Sequence, residues 1–102
     1  MNKLEVDGMV AIIYSPGYGA GWASWNPDHR DILFDLEIIL WIMAGDLDLA
    51  ERVAEEKWPD VYIGGLRKAK IKWLPVGTRF KIYEHDGYER IELLDDSEWY
   101  IA

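Results

Sequence analysis

The sequence predicts an α+β domain, and three observations carry that expectation. Val10-Ala11-Ile12-Ile13 is a short apolar run stopped by Pro16 and a cluster of glycines, as a strand entering a turn would be. Residues 35–58 carry helical start and stop signals twice over. From Lys70 onward the apolar period changes to two, and an Asp-Gly pair separates two alternating runs. The expected architecture is one mostly antiparallel sheet, made of the N-terminal strand plus the C-terminal hairpin strands, with two helices packed on one face. A chain of 102 residues, half of them apolar, fits a single domain over 1–102 with its own core.

The first strand is expected over about 8–14, followed by the polar turn "NPDHRD". In "FDLEIILWIMAGD", Asp35 is a candidate N-cap, Glu37 falls in the first turn and Gly45 lies just past the end. Ile38 to Met43 are apolar all round, which predicts a helix either deeply buried or shared with a second subunit. "DLDLAERVAEEKWPD" predicts a second helix, capped by Asp48 and stopped before Pro59. Its inner stripe is Leu49, Ala50, Val53, Ala54 and Trp58, while Glu51, Arg52, Glu55 and Glu56 face water. Strands are expected at 79–84 and 88–93, joined by His85-Asp86-Gly87, with "DDSEWYIA" as a last strand or ordered tail.

Composition removes several function classes. There is no cysteine, so disulfides, thiolate catalysis and cysteine zinc sites are excluded. The opening "MNKLEVDGMV" lacks a signal pattern and no apolar run is long enough to span a bilayer, so a soluble cytoplasmic protein is expected. A net charge of −8 disfavours general nucleic-acid binding, which needs clustered Lys and Arg. The charge is uneven, however. Arg67, Lys68, Lys70, Lys72, Arg79 and Lys81 form a basic strip without an intervening acid on an otherwise acidic chain.

The segment "YSPGYGAGWASW" concentrates the chemistry. Glycines at 17, 19 and 21 free the main chain to expose successive N–H groups, which suit an anion such as phosphate. Tyr14, Tyr18, Trp22 and Trp25 flank them with flat faces for a base or ring. Ser15, at the strand end, belongs to the same candidate site. The spacing is neither the dinucleotide fingerprint nor a P-loop. The segment is therefore either a ligand nest or a tightly folded connection in which Trp22 and Trp25 cover the core; the alternation of three glycines favours the nest.

The basic strip has two roles open to it. Lys70 and Lys72 alternate with core positions as a solvated strand face, or else Arg67 or Arg79 closes over an anion held by the glycine segment. No catalytic constellation stands out. His29 and His85 sit in turns, Ser15 lacks a nucleophile elbow, and the carboxylates lie on outer faces, so neither a cofactor nor a metal site is expected.

Two segments, "IIYSPGYGAGWASWN" and "IKWLPVGTRFKIYEHDGYERI", together resemble a family of small bacteriophage and prophage proteins. "LFD" and "AEEKWPDVYIGG" extend the resemblance over most of the chain. It implies expression in a bacterial host cytoplasm during infection and supplies a setting rather than a mechanism. The expected function is non-enzymatic capture of a phosphate-containing small molecule, such as a nucleotide second messenger, by a homo-oligomer that counters host defence. The alternatives are an acidic inhibitor of a host defence protein, with Asp28, Asp31, Glu51, Glu55 and Glu56 as its face, or a structural or regulatory phage component without a pocket.

Overall fold

A computed structural model describes residues 3–93 and 100–102. Among these residues six antiparallel strands form two three-stranded sheets, and two α-helices lie in sequence between the second and third strands. The first sheet orders β1 (Glu5–Val6), β2 (Met9–Tyr14) and β3 (Lys70–Pro75) as β1-β2-β3. The second orders β4 (Arg79–His85), β5 (Tyr88–Leu93) and β6 (Tyr100–Ile101) as β5-β4-β6. The α+β class with antiparallel pairing is as expected, but the single expected sheet is two. The N-terminal strand pairs with β3, Ile12 opposite Lys72, and not with the hairpin. The cause lies in Pro75–Thr78: Thr78 N–H donates to the Pro75 carbonyl at 3.1 Å and Gly77 has φ +86°. That turn redirects the chain instead of folding β4 back onto β3.

The other sequence signals hold with small shifts. α1 spans Leu36–Met43, and the Asp35 side chain caps it through Ile38 N–H. Gly45, with φ +78°, ends it. α2 spans Leu47–Lys57 and is capped by Asp46, whose carboxylate accepts from Leu49 N–H. The expected cap, Asp48, lies one residue inside the helix, where two acids in "DLD" compete and only the first has non-helical backbone. The tail beyond Leu93 falls mostly outside the described residues, but Tyr100–Ile101 does form a strand, on β4. An unexpected hairpin also appears at the start, where Asp7-Gly8 turns β1 onto β2.

The core lies between the helices and the two sheets. Val10 to Ile13 are all buried, so both faces of β2 are covered. Ile32, Leu33, Phe34, Ile38, Ile39, Ala50, Ala54 and Leu66 pack around them. The second sheet joins through aromatic contacts: Phe80 stacks on Tyr100 at 5.4 Å, and Phe34 meets Phe80 edge-on at 6.2 Å. On α1, Ile38 and Ile39 are buried while Leu40 and Met43 remain half exposed, so the all-apolar helix is divided between core and surface. Among the described residues no helix is long and apolar enough to cross a membrane.

Candidate functional site

Residues 15–25 lie against the inner face of the β4–β5 hairpin tip. Strand alternation decides what that face contains. Phe80, Ile82 and Glu84 on β4 stand opposite Leu93, Ile91 and Glu89 on β5, so two carboxylates end the inner row. Glu89 is completely buried. Its Oε1 accepts from Ser15 N–H at 2.9 Å, and its Oε2 accepts from the main-chain N–H groups of Trp22 (2.7 Å) and Ser24 (2.9 Å). The Ser24 hydroxyl donates to the same oxygen at 2.5 Å. The amides that Glu89 takes up are those of Ser15, Trp22 and Ser24, which flank the three glycines rather than belong to them.

Further bonds lock the segment. Gly19 N–H donates to the Asp86 carbonyl at 2.5 Å, and Tyr62 Oη donates to the Gly19 carbonyl at 2.9 Å. The Ser15 hydroxyl donates to the Gly65 carbonyl at 2.9 Å. Asn26 bridges Trp22 and Tyr62 through its side-chain amide. Gly19 has φ +71°, and a Cβ at Gly87 would sit 2.6 Å from the Ala20 nitrogen; these two glycines let loop and hairpin turn meet backbone to backbone. Gly17 packs on the Lys68 stem and Gly21 on the Trp25 ring.

The candidate residues divide accordingly. Trp22 is wholly buried, and its indole N–H has no partner among the described residues, so it is core rather than a pocket wall. Trp25 is partly exposed, and its indole donates to Glu84 Oε2 at 3.2 Å. Glu84 also accepts from Gly87 N–H at 2.6 Å. That bond first, then the indole, holds the Glu84 carboxyl below its ordinary range. Tyr18 is the loop residue that points outward, 70% exposed. Tyr14 and Ser15 stay at the β2 end of the same segment.

Neither candidate arginine reaches the loop. Arg67 lies in the 3₁₀ turn Gly64–Lys68 and is bound by α2, to Asp48 at 2.5 Å and Glu51 at 2.9 Å. Arg79 begins β4, about 20 Å of extended chain from the turn at the other end. Of the basic strip it is Lys68 that touches the glycine segment, its stem against Gly17.

The outer face of the hairpin presents chemistry that the sequence reading did not single out. Tyr83 stands opposite Arg90, and His85 opposite Tyr88. With Tyr18 and Glu84 they line an open cleft of about 530 Å³. The Tyr18 ring lies 5.0 Å from Tyr88 and 6.4 Å from His85. The Arg90 guanidinium lies 4.9 Å from the Tyr83 ring centre, with Lys81 Nζ at 4.7 Å. Arg90 also pairs with Glu92 at 3.1 Å, an exposed contact that an incoming anion can replace. The signal for this face was present: Tyr83, His85, Tyr88 and Arg90 are the outward positions of two alternating strands, and large rings there are unusual cover for a solvated face.

No family model matches the chain, and neither a curated protein nor a solved structure matches it. Function therefore rests on geometry.

A larger cleft, about 720 Å³, opens between α1 and the 29–32 segment and includes Lys57, Trp58 and Leu40. Several of its charges have partners. His29 Nε2 lies 3.0 Å from Asp60, and Lys57 Nζ lies 2.9 Å from Asp35 and 3.3 Å from Glu37. Burial pulls the Lys57 ammonium down, but its bonds to the two acids outweigh this and hold it above its ordinary value. The smaller hairpin cleft gathers more rings, Tyr18, Tyr83, His85 and Tyr88 beside Arg90. Among the described residues no group of three acids and histidines is placed to hold a metal.

Proposed function

We propose that this protein is a non-enzymatic binder that captures a phosphate-bearing, ring-containing small molecule, a nucleotide, on the outer face of the β4–β5 hairpin. The observation that supports it is the convergence of Tyr18, Tyr83, His85 and Tyr88 with the Arg90 guanidinium around one open cleft. A base stacked on such a ring is worth about 1–3 kcal/mol. Arg90 supplies a planar fork suited to a phosphate. The glycine segment contributes by placing Tyr18, not by donating its amides. In the bacterial cytoplasm implied by the resemblance, such capture would withdraw a signalling nucleotide from host defence.

Thermal denaturation against a panel of mononucleotides tests this. A ligand at a hundred times its dissociation constant stabilises by about 2.7 kcal/mol. Tyr83→Ala and Arg90→Ala should abolish that gain while leaving the free protein's stability within about 0.5 kcal/mol of the parent, as exposed substitutions do. A panel that produces no shift with the parent protein overturns the proposal.

A second reading, an inhibitor that docks on a host protein, draws on Leu40 and Met43, 50% and 54% exposed on α1, beside the acidic outer side of α2. Glu55 and Glu56 are exposed there, whereas Glu51 is engaged by Arg67. It predicts a stable complex with one host protein that Leu40→Asp disrupts and Tyr83→Ala does not. The same face would serve self-association, which light scattering over a concentration series would detect.

A further inference from the structure

The hairpin cleft does not end at Tyr88 and Arg90. These two side chains, on the outward side of β5, also form a wall of a second cleft of about 280 Å³, at the junction of the two sheets. Its other walls are Tyr14 and Pro16 at the end of β2, Lys72 on β3, and Glu89 and Ile91 on β5 itself. One side of the shared wall therefore has the Tyr18 and Tyr83 rings, and the other has the Tyr14 ring with the Lys72 ammonium. Each cleft thus offers tyrosine rings beside a cation, with Tyr88 and Arg90 common to both.

We propose that the ligand is bipartite, two ring-bearing nucleoside units joined through phosphate, and that it straddles the Tyr88–Arg90 ridge. This deepens the nucleotide reading of the hairpin face and rests on it. One base lies among Tyr18, Tyr83 and Tyr88, and the second lies against Tyr14. Arg90, on the ridge, meets the linking phosphate, and Lys72 meets the charge of the second unit. A mononucleotide fills one side and leaves Lys72 without a phosphate to meet. Glu84, whose carboxyl is held ionised at the rim of the first cleft, accepts from N–H donors, so it favours a base with an exocyclic amino group there. The acidic remainder of the protein repels a long polyanion but tolerates two units over a local group of Arg90, Lys81 and Lys72.

Joining two units that bind adjoining sites makes the second contact intramolecular, so the dinucleotide gains affinity beyond either half. Titration calorimetry of the full chain with AMP, GMP and the linear dinucleotides pApA and pGpG tests this. The expected result is that a dinucleotide binds at least ten-fold more tightly than its monophosphate. Lys72→Ala, an exposed change on β3, should erase that margin and leave monophosphate affinity unchanged; Lys72→Met, which keeps the stem, should do the same. Equal affinity for one unit and two overturns the bipartite ligand while the nucleotide reading stands. A dinucleotide advantage that survives both Lys72 variants overturns the placement of the second unit. If none of the four compounds binds, the nucleotide reading falls and the bipartite ligand falls with it.

Discussion

Glu84 and Glu89 stand directly opposite each other across the β4–β5 hairpin, and between them they hold the segment from Ser15 to Trp25. Like charges facing each other across a ladder ordinarily destabilise it. Here each carboxylate is supplied with donors from outside the hairpin: the indole of Trp25 for Glu84, and three main-chain amides and a hydroxyl for Glu89. The hairpin tip therefore depends on the loop for neutral solvation of its acids, and the loop depends on the hairpin for its shape.

Replacing Glu89 with alanine should be among the most damaging single changes available. It leaves the amides of Ser15, Trp22 and Ser24 without their acceptor, and each buried unsatisfied donor costs about 1–3 kcal/mol. A loss of at least about 3 kcal/mol is expected in urea denaturation. Glu89→Gln keeps one acceptor oxygen and should lose less.

Glu84 gives a pH signature. Its folded carboxyl titrates below the ordinary glutamate range, so the stability it contributes is fully present above the unfolded value, about pH 4.3, and is lost as pH falls through the lower folded value. The stability difference between the parent and Glu84→Gln should be constant above about pH 5.5 and shrink below about pH 4.3. A difference that grows on acidification would contradict the bond to Gly87 N–H.

Gly87 and Gly19 should respond differently to alanine. Both have positive φ, but a Cβ at Gly19 enters open space, while one at Gly87 lies 2.6 Å from Ala20 N and 2.9 Å from Gly19 N. Gly19→Ala should cost about 1–2 kcal/mol, the backbone term alone. Gly87→Ala should cost more than about 2 kcal/mol because overpacking adds to it. Thermal unfolding of the two variants side by side measures the gap.

Asp46 and Asp48 separate cap from surface charge. Asp46→Ala removes the acceptor for Leu49 N–H and should cost about 1 kcal/mol. Asp48→Ala removes one exposed pair with Arg67 and should cost well under about 1 kcal/mol. Equal losses in chemical denaturation would return the cap to Asp48.

Much of the architecture was legible because it is local. Alternation from Lys70, the Asp86-Gly87 turn, the Asp35 cap and the Gly45 stop each act within a few residues. What failed was long-range. Nothing near Pro75 says that β3 turns away from β4 to join a strand at the other end of the chain, and nothing near Gly17 says that its neighbours' amides already have an acceptor at position 89. The clue to Glu89 was its register: it shares an inner row with Ile91, where an acid needs donors brought to it. Arg67 follows a glycine pair that would let it swing over the glycine segment, yet the two acids of α2 hold it.

The walls of the hairpin cleft come from opposite ends of the polypeptide, clasped by a bond that spans 74 positions between Ser15 and Glu89. On the nucleotide reading, affinity there would belong to the folded whole. A nascent chain acquires it only after β5 has left the ribosome and Tyr18 has been carried across to meet Tyr88, so occupancy of the cleft would report complete maturation and would select against partly assembled forms.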